Sequence, residues 1–100
     1  MQRDANRKAV LTSLDYLSHE EIYFAAKSLR SGTPTFYTYV HSPAVGIMVG
    51  KGLVWTTGGQ HNRDQYPFSF HDFVWEALLD RKAEFIAKDE ERKRQESASR

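Results

Sequence analysis

One helix has both of its ends written into the chain, and it limits the fold more than any other feature. Ser18-His19-Glu20-Glu21 has the form of a capping box: the Ser18 hydroxyl can accept from the Glu21 amide while the Glu21 carboxylate reaches back to the Ser18 N–H. Leu17 and Ile22 stand where a hydrophobic staple would fix the entry angle. The spacing predicts burial of Ile22, Ala25, Ala26 and Leu29 and an end near Ser31. Gly32 is available for the left-handed closing position, and Thr33-Pro34-Thr35 forbids continuation.

Other elements are arranged around this one. Val10, Leu11, Leu14 and Leu17 fall at helical spacing and predict a short first helix from Lys8. Phe36-Tyr37-Thr38-Tyr39-Val40 is aromatic and β-branched and favours an extended segment. Ser42-Pro43 repeats a helix start, and Ala44, Val45, Ile47, Met48 and Val49 would fill a short buried helix ending at Gly50-Lys51-Gly52. Gly46 and its β-branched neighbours would equally suit a strand paired with residues 36–40, so residues 36–50 admit both readings. Leu53–Thr57 and Tyr66–Phe70 read as two strands, the second an edge strand because of Pro67, joined by a flexible, turn-rich tip from Gly58 to Gln65. A closing helix from His71 or Asp72 carries Phe73, Val74, Ala77, Leu78, Leu79, Phe85 and Ile86.

The resulting division is a polar N-terminal arm, residues 1–7, a domain over residues 8–87, and a charged tail, residues 88–100, expected to project into solvent and fray. A packed part of that length buries about 60–65% of its unfolded surface, so each large apolar side chain matters. At 40% hydrophobic and 13% aromatic residues the chain lies outside the composition of disordered proteins. It has no cysteine, which excludes thiol catalysis, thiolate metal sites and a disulfide framework, and a reducing compartment fits best. No signal peptide and no apolar run of spanning length is present, so a cytoplasmic setting without membrane contact is expected. The net charge of +1 is uneven: Val10 to Phe85 holds six Lys or Arg against eight Asp or Glu, and the flanks supply the positive excess. An acidic body argues against electrostatically driven nucleic-acid binding.

Helix, helix, extended segment, Ser-Pro-capped helix, Gly-Leu-Val, hairpin with a polar tip and closing helix is an order that resembles a winged-helix domain. The expected class is α+β, winged-helix-like, with three to four helices, a β-hairpin wing and a charged C-terminal helical extension. The likeness rests on Ser42 to Trp55, where a recognition helix would end at a glycine and Gly52-Leu53-Val54 would enter the first wing strand. From Leu17 to Leu79 the chain is also similar to the soluble C-terminal portion of the superinfection-exclusion B type of phage and prophage proteins. That similarity is carried by Leu17-Ser18-His19-Glu20-Glu21, by Val45 to Val54 with its Lys51-Gly52-Leu53, and by Phe70-His71-Asp72-Phe73-Val74-Trp75-Glu76-Ala77-Leu78, and it covers about 60 of the 100 residues. It implies a small phage or prophage protein. Exclusion itself does not carry over, because family members with that activity are similar in being membrane-anchored and this chain has no spanning segment.

Two functions fit such a scaffold. DNA recognition would place the helix after Ser42 in the major groove, yet Lys51 is the one base-reading or phosphate-reading residue from Ser42 to Gly52. The tip adds Gln60, His61, Asn62 and Arg63, offset by Asp64. The preferred alternative is a non-enzymatic module that binds and modulates a host or rival protein, for which tyrosine and tryptophan are the usual anchors. Strand alternation sets Tyr37 and Tyr39 opposite Phe36, Thr38 and Val40. The candidate partner-binding residues are therefore Tyr37, Tyr39 and Lys51, with Gln60, His61 and Arg63 as a polar rim and Arg92, Lys93 and Arg94 as a salt-sensitive tail contact. His19, His41, His61 and His71 lack metal-ligand spacing, and Gly46 to Gly52 departs from a phosphate loop in glycine spacing and in having Gly52 where a hydroxyl is needed. No catalytic residue, metal, cofactor or small-molecule substrate is expected.

Overall fold

The structure, a computed structural model, describes residues 2–56 and 58–98. Residue 1 of the expected arm, residue 57 of the expected strand and residues 99–100 of the expected tail lie outside the described residues. The elements are helices α1 (Gln2–Ser13), α2 (His19–Ser31), α3 (Pro43–Gly50), α4 (Asp72–Asp80) and α5 (Lys82–Ala98), and strands β1 (Thr35–Thr38), β2 (Val54–Trp55) and β3 (Tyr66–Phe70). Single 3-10 turns occupy Leu14–Tyr16 and Arg63–Gln65. The strands form one antiparallel sheet in the order β1-β3-β2, so the class is α+β. The chain order of helices, sheet and hairpin is consistent with the winged-helix arrangement.

The capping box forms as expected. Ser18 Oγ accepts from the Glu21 amide at 3.3 Å, and Glu21 Oε1 accepts from the Ser18 amide at 3.0 Å. Gly32 closes α2 in the left-handed region, at φ 77°, where any side chain would be strained. Ala25, Ala26 and Leu29 are fully buried, whereas Ile22 is only partly covered. The inner face of the sheet meets α2 through rings: Phe36 stacks on Phe24 with centroids 4.9 Å apart and touches Phe70 at 5.5 Å. Leu14, Val45, Met48, Leu53, Val74, Leu78 and Phe85 complete this one core.

Pro67 was expected at a sheet edge, but β3 is the central strand. The Phe70 amide donates to the Pro34 carbonyl on the β1 side, so the alternation of an antiparallel ladder turns Phe68 and Tyr66 toward β1 and Pro67 and Ser69 toward β2. The missing N–H of Pro67 therefore falls on the β2 side, just where that ladder stops after Trp55. The Thr56 hydroxyl donates to the Pro67 carbonyl at 2.8 Å and satisfies the remaining group. One proline thus sits in a central strand, beyond the described end of its ladder with β2.

Three other expectations change. Helix α1 begins at Gln2, so much of the expected polar arm is helical. The closing helix is two helices, which brings the described total to five. Arg81, with φ −113° and ψ 25°, interrupts it, lies over the Phe85 ring at 4.9 Å and reaches Asp15 at 2.6 Å. The segment beyond Ala87 does not project as a free tail. It continues α5 along α2, held by Asp89, whose buried carboxylate accepts from Arg30 at 2.6 Å and from Arg92 at 2.7 Å.

Candidate interaction surface

Helix α3 is the element that would enter a DNA groove. Its buried side is Ala44, Val45 and Met48, and it turns outward Pro43, Gly46, Ile47, Val49 and Gly50. Ile47 and Val49, expected to be core, are 54% and 45% exposed. The helix is apolar all round, so no polar stripe in its sequence distinguishes the outer face from the inner. Packing against α2 and β2 makes that choice.

Lys51 stands one residue past α3 and is folded inward. Its ammonium donates to both Glu21 carboxylate oxygens, at 3.0 and 3.2 Å. Glu21 is 2% exposed and serves the capping box as well, so one carboxylate ties the start of α2 to the end of α3. Gly52 then turns the chain at φ 78°, and a β-carbon there would press within 3.2 Å of Val10.

Tyr37 and Tyr39 are both exposed, at 52% and 47%, but they serve different grooves. Tyr39 meets His41 edge-on and lines an open groove of about 610 Å³ with His19, Tyr23, Pro43 and Arg92. Tyr37 lies on the outer face of the sheet opposite Pro67 and borders a smaller groove of about 260 Å³ between β1 and the end of α2. Trp55, on the same outer sheet face, is 42% exposed.

In the loop between β2 and β3, the expected wing tip, Gln60 is exposed, while His61 and Arg63 help hold the loop. The His61 Nε2–H donates to the Gly58 carbonyl at 2.9 Å, and its ring meets Tyr66 edge-on. Arg63 donates to His41 Nε2 at 3.3 Å, and Asn62 caps the 3-10 turn by accepting from the Asp64 amide. In α5 the three expected contact cations are paired. Arg92 bonds Asp89 and Glu96 and leans over the Tyr23 ring, Lys93 is 3.6 Å from Asp89, and Arg94 bonds Glu91.

The arrangement therefore collects aromatic and aliphatic groups on α3, β1 and the first groove, with Lys51, Arg92, Lys93 and Arg94 paired to carboxylates. Among the described residues no group of three or more His, Asp or Glu is placed to hold a metal, and no helix is long and apolar enough to cross a membrane. The chain matches no protein-family model, no curated protein and no solved structure.

Proposed function

We propose that the protein is a small phage or prophage accessory factor that acts in the bacterial cytoplasm by binding a host or rival protein and modulating it. The observation that carries this reading is the outward face of α3: Ile47 and Val49 meet solvent there, and the adjacent cation, Lys51, is spent on Glu21. A DNA-reading helix needs side chains that donate to bases and phosphates, and this face offers none. Exposed Ile47 and Val49 on α3, with Tyr39, Tyr23 and Pro43 lining the first groove among polar and charged groups, supply the apolar and aromatic anchors that protein interfaces use. The likeness to superinfection-exclusion B type proteins supports the phage or prophage origin.

The experiment is capture from a nuclease-treated bacterial lysate by the wild-type chain and by the double variant Ile47→Asp, Val49→Asp. Both positions are about half exposed, so the variant keeps its melting temperature within a few degrees, about the effect of a surface substitution. A discrete captured protein that is lost with the variant supports the reading. Capture that survives the two charges places the contact elsewhere and defeats it.

A further inference from the structure

The geometry points to the free edge of β1 as a docking site for an acidic, extended peptide segment that adds as a fourth strand to the sheet. This inference rests on the protein-binding reading and names the form of one partner element.

Ladder alternation leaves the edge available. The Phe70 amide bonds the Pro34 carbonyl, and the Val40 amide bonds the Arg63 carbonyl, so the even-numbered residues of this stretch direct their backbone toward β3 and the turn before it. Thr35 and Tyr37 lie opposite Ser69 and Pro67, and their N–H and C=O groups point away from β3. The Thr35 amide is taken by Thr33 Oγ1 at 3.3 Å, which among the described residues leaves the Thr35 carbonyl and both Tyr37 groups as an open donor–acceptor row. An unpaired row of this kind is a template for strand addition, and nothing charged in Thr35-Phe36-Tyr37-Thr38 repels a fourth strand.

The groove of about 260 Å³ beside that edge states the charge of the strand. Lys27, Ser28, Gln65 and Tyr37 line it, and it contains no Asp or Glu. The Ser28 side chain is fully buried, and its hydroxyl has no hydrogen-bond partner among the described residues, a costly state for a polar group. Lys27 is exposed, lies 5.8 Å above the Tyr23 ring, and has no carboxylate partner among the described residues. In an added strand, successive side chains alternate between the outer sheet face and this groove. The groove-facing ones would be carboxylates, accepting from the Lys27 ammonium, while the others pack beside the Tyr37 ring.

The probe is a short capped peptide of alternating valine and aspartate, with its valine–lysine counterpart as control, titrated into the full chain and followed by amide NMR. The valine–aspartate peptide is expected to slow exchange of the Tyr37 amide by about tenfold or more. Tyr37→Pro, which removes that N–H, abolishes binding, whereas Tyr37→Ala retains the backbone contact. Lys27→Glu weakens the acidic peptide about fivefold and turns the preference toward the lysine peptide. Equal binding of both peptides, no protection at Tyr37, or protection that grows with protein concentration alone would each overturn the proposal, the last because a second copy would then be the occupant. These variants leave the α3 face untouched, so lysate capture that depends on Ile47 and Val49 survives failure here.

Discussion

Asp89→Ala is expected to lower the melting temperature by roughly 10–20 °C, the equivalent of about 2–3 kcal/mol in a domain of this size. Asp89 is fully buried and holds Arg30 of α2 and Arg92 of its own helix, so its loss leaves Arg30 with only Glu90, at 3.8 Å, and Arg92, which is 11% exposed, with only Glu96. Breaking a buried ion pair costs about 3–5 kcal/mol; the lower figure applies because Arg30 is 36% exposed and can turn to water. Asp89→Asn keeps the volume and loses most of the same stability. Acid titration provides the second signature. Burial pushes the Asp89 carboxyl up, but hydrogen bonds from Arg30 and Arg92, aided by the charge of Lys93, outweigh it and hold the group below the ordinary aspartate value of 3.8. A depressed carboxyl stabilises the fold above its unfolded pKa and loses that contribution as pH falls through the folded one. The wild-type advantage over Asp89→Ala therefore narrows below about pH 4. Glu84 acts in the same window, held down to about 2 by hydrogen bonds from Arg81 and Lys88. Thermal unfolding across that range checks both statements, and a difference between the two proteins that is flat with pH would contradict the ionic account.

Glu21→Ala should cost about 2–3 kcal/mol, since it deletes half of a capping box and strands Lys51 over the core at once. Glu21→Gln retains an acceptor for the Ser18 amide and should lose about half as much. Urea denaturation of Glu21→Ala, Lys51→Met and the pair together should return a coupling energy of about 1–2 kcal/mol. A coupling near zero would mean that Lys51 is free of Glu21 in solution and open to external partners.

The legible parts of the chain were those with punctuation or alternation. Ser18, Glu21, Gly32 and Pro34 delimit α2 without help from the rest of the fold, and the aromatic, β-branched Phe36-Tyr37-Thr38 favours, without deciding, the strand that forms with Tyr37 exposed. Three features depend on contacts that no local pattern records. Asp89 resembles any other charge in a polar helix until Arg30, 59 residues away, is packed beside it. Lys51 looked available because its partner Glu21 had already been assigned a capping role, and one carboxylate performs both. Ile47 and Val49 have the composition of core, and a helix of eight residues with no polar face gives periodicity nothing to measure. Pro67 is the converse case: its rule about sheet edges concerns an N–H facing a neighbouring strand, and β2 is too short to need one.

Everything about the function turns on whether the surface that would meet a major groove lacks usable positive charge. Binding of the full chain to random-sequence duplex DNA, followed from low to moderate salt, tests this most directly. The account predicts no saturable binding at low salt and therefore no salt slope to measure. Tight low-salt retention that falls steeply as salt rises would show phosphate neutralisation by lysine and arginine and would contradict it.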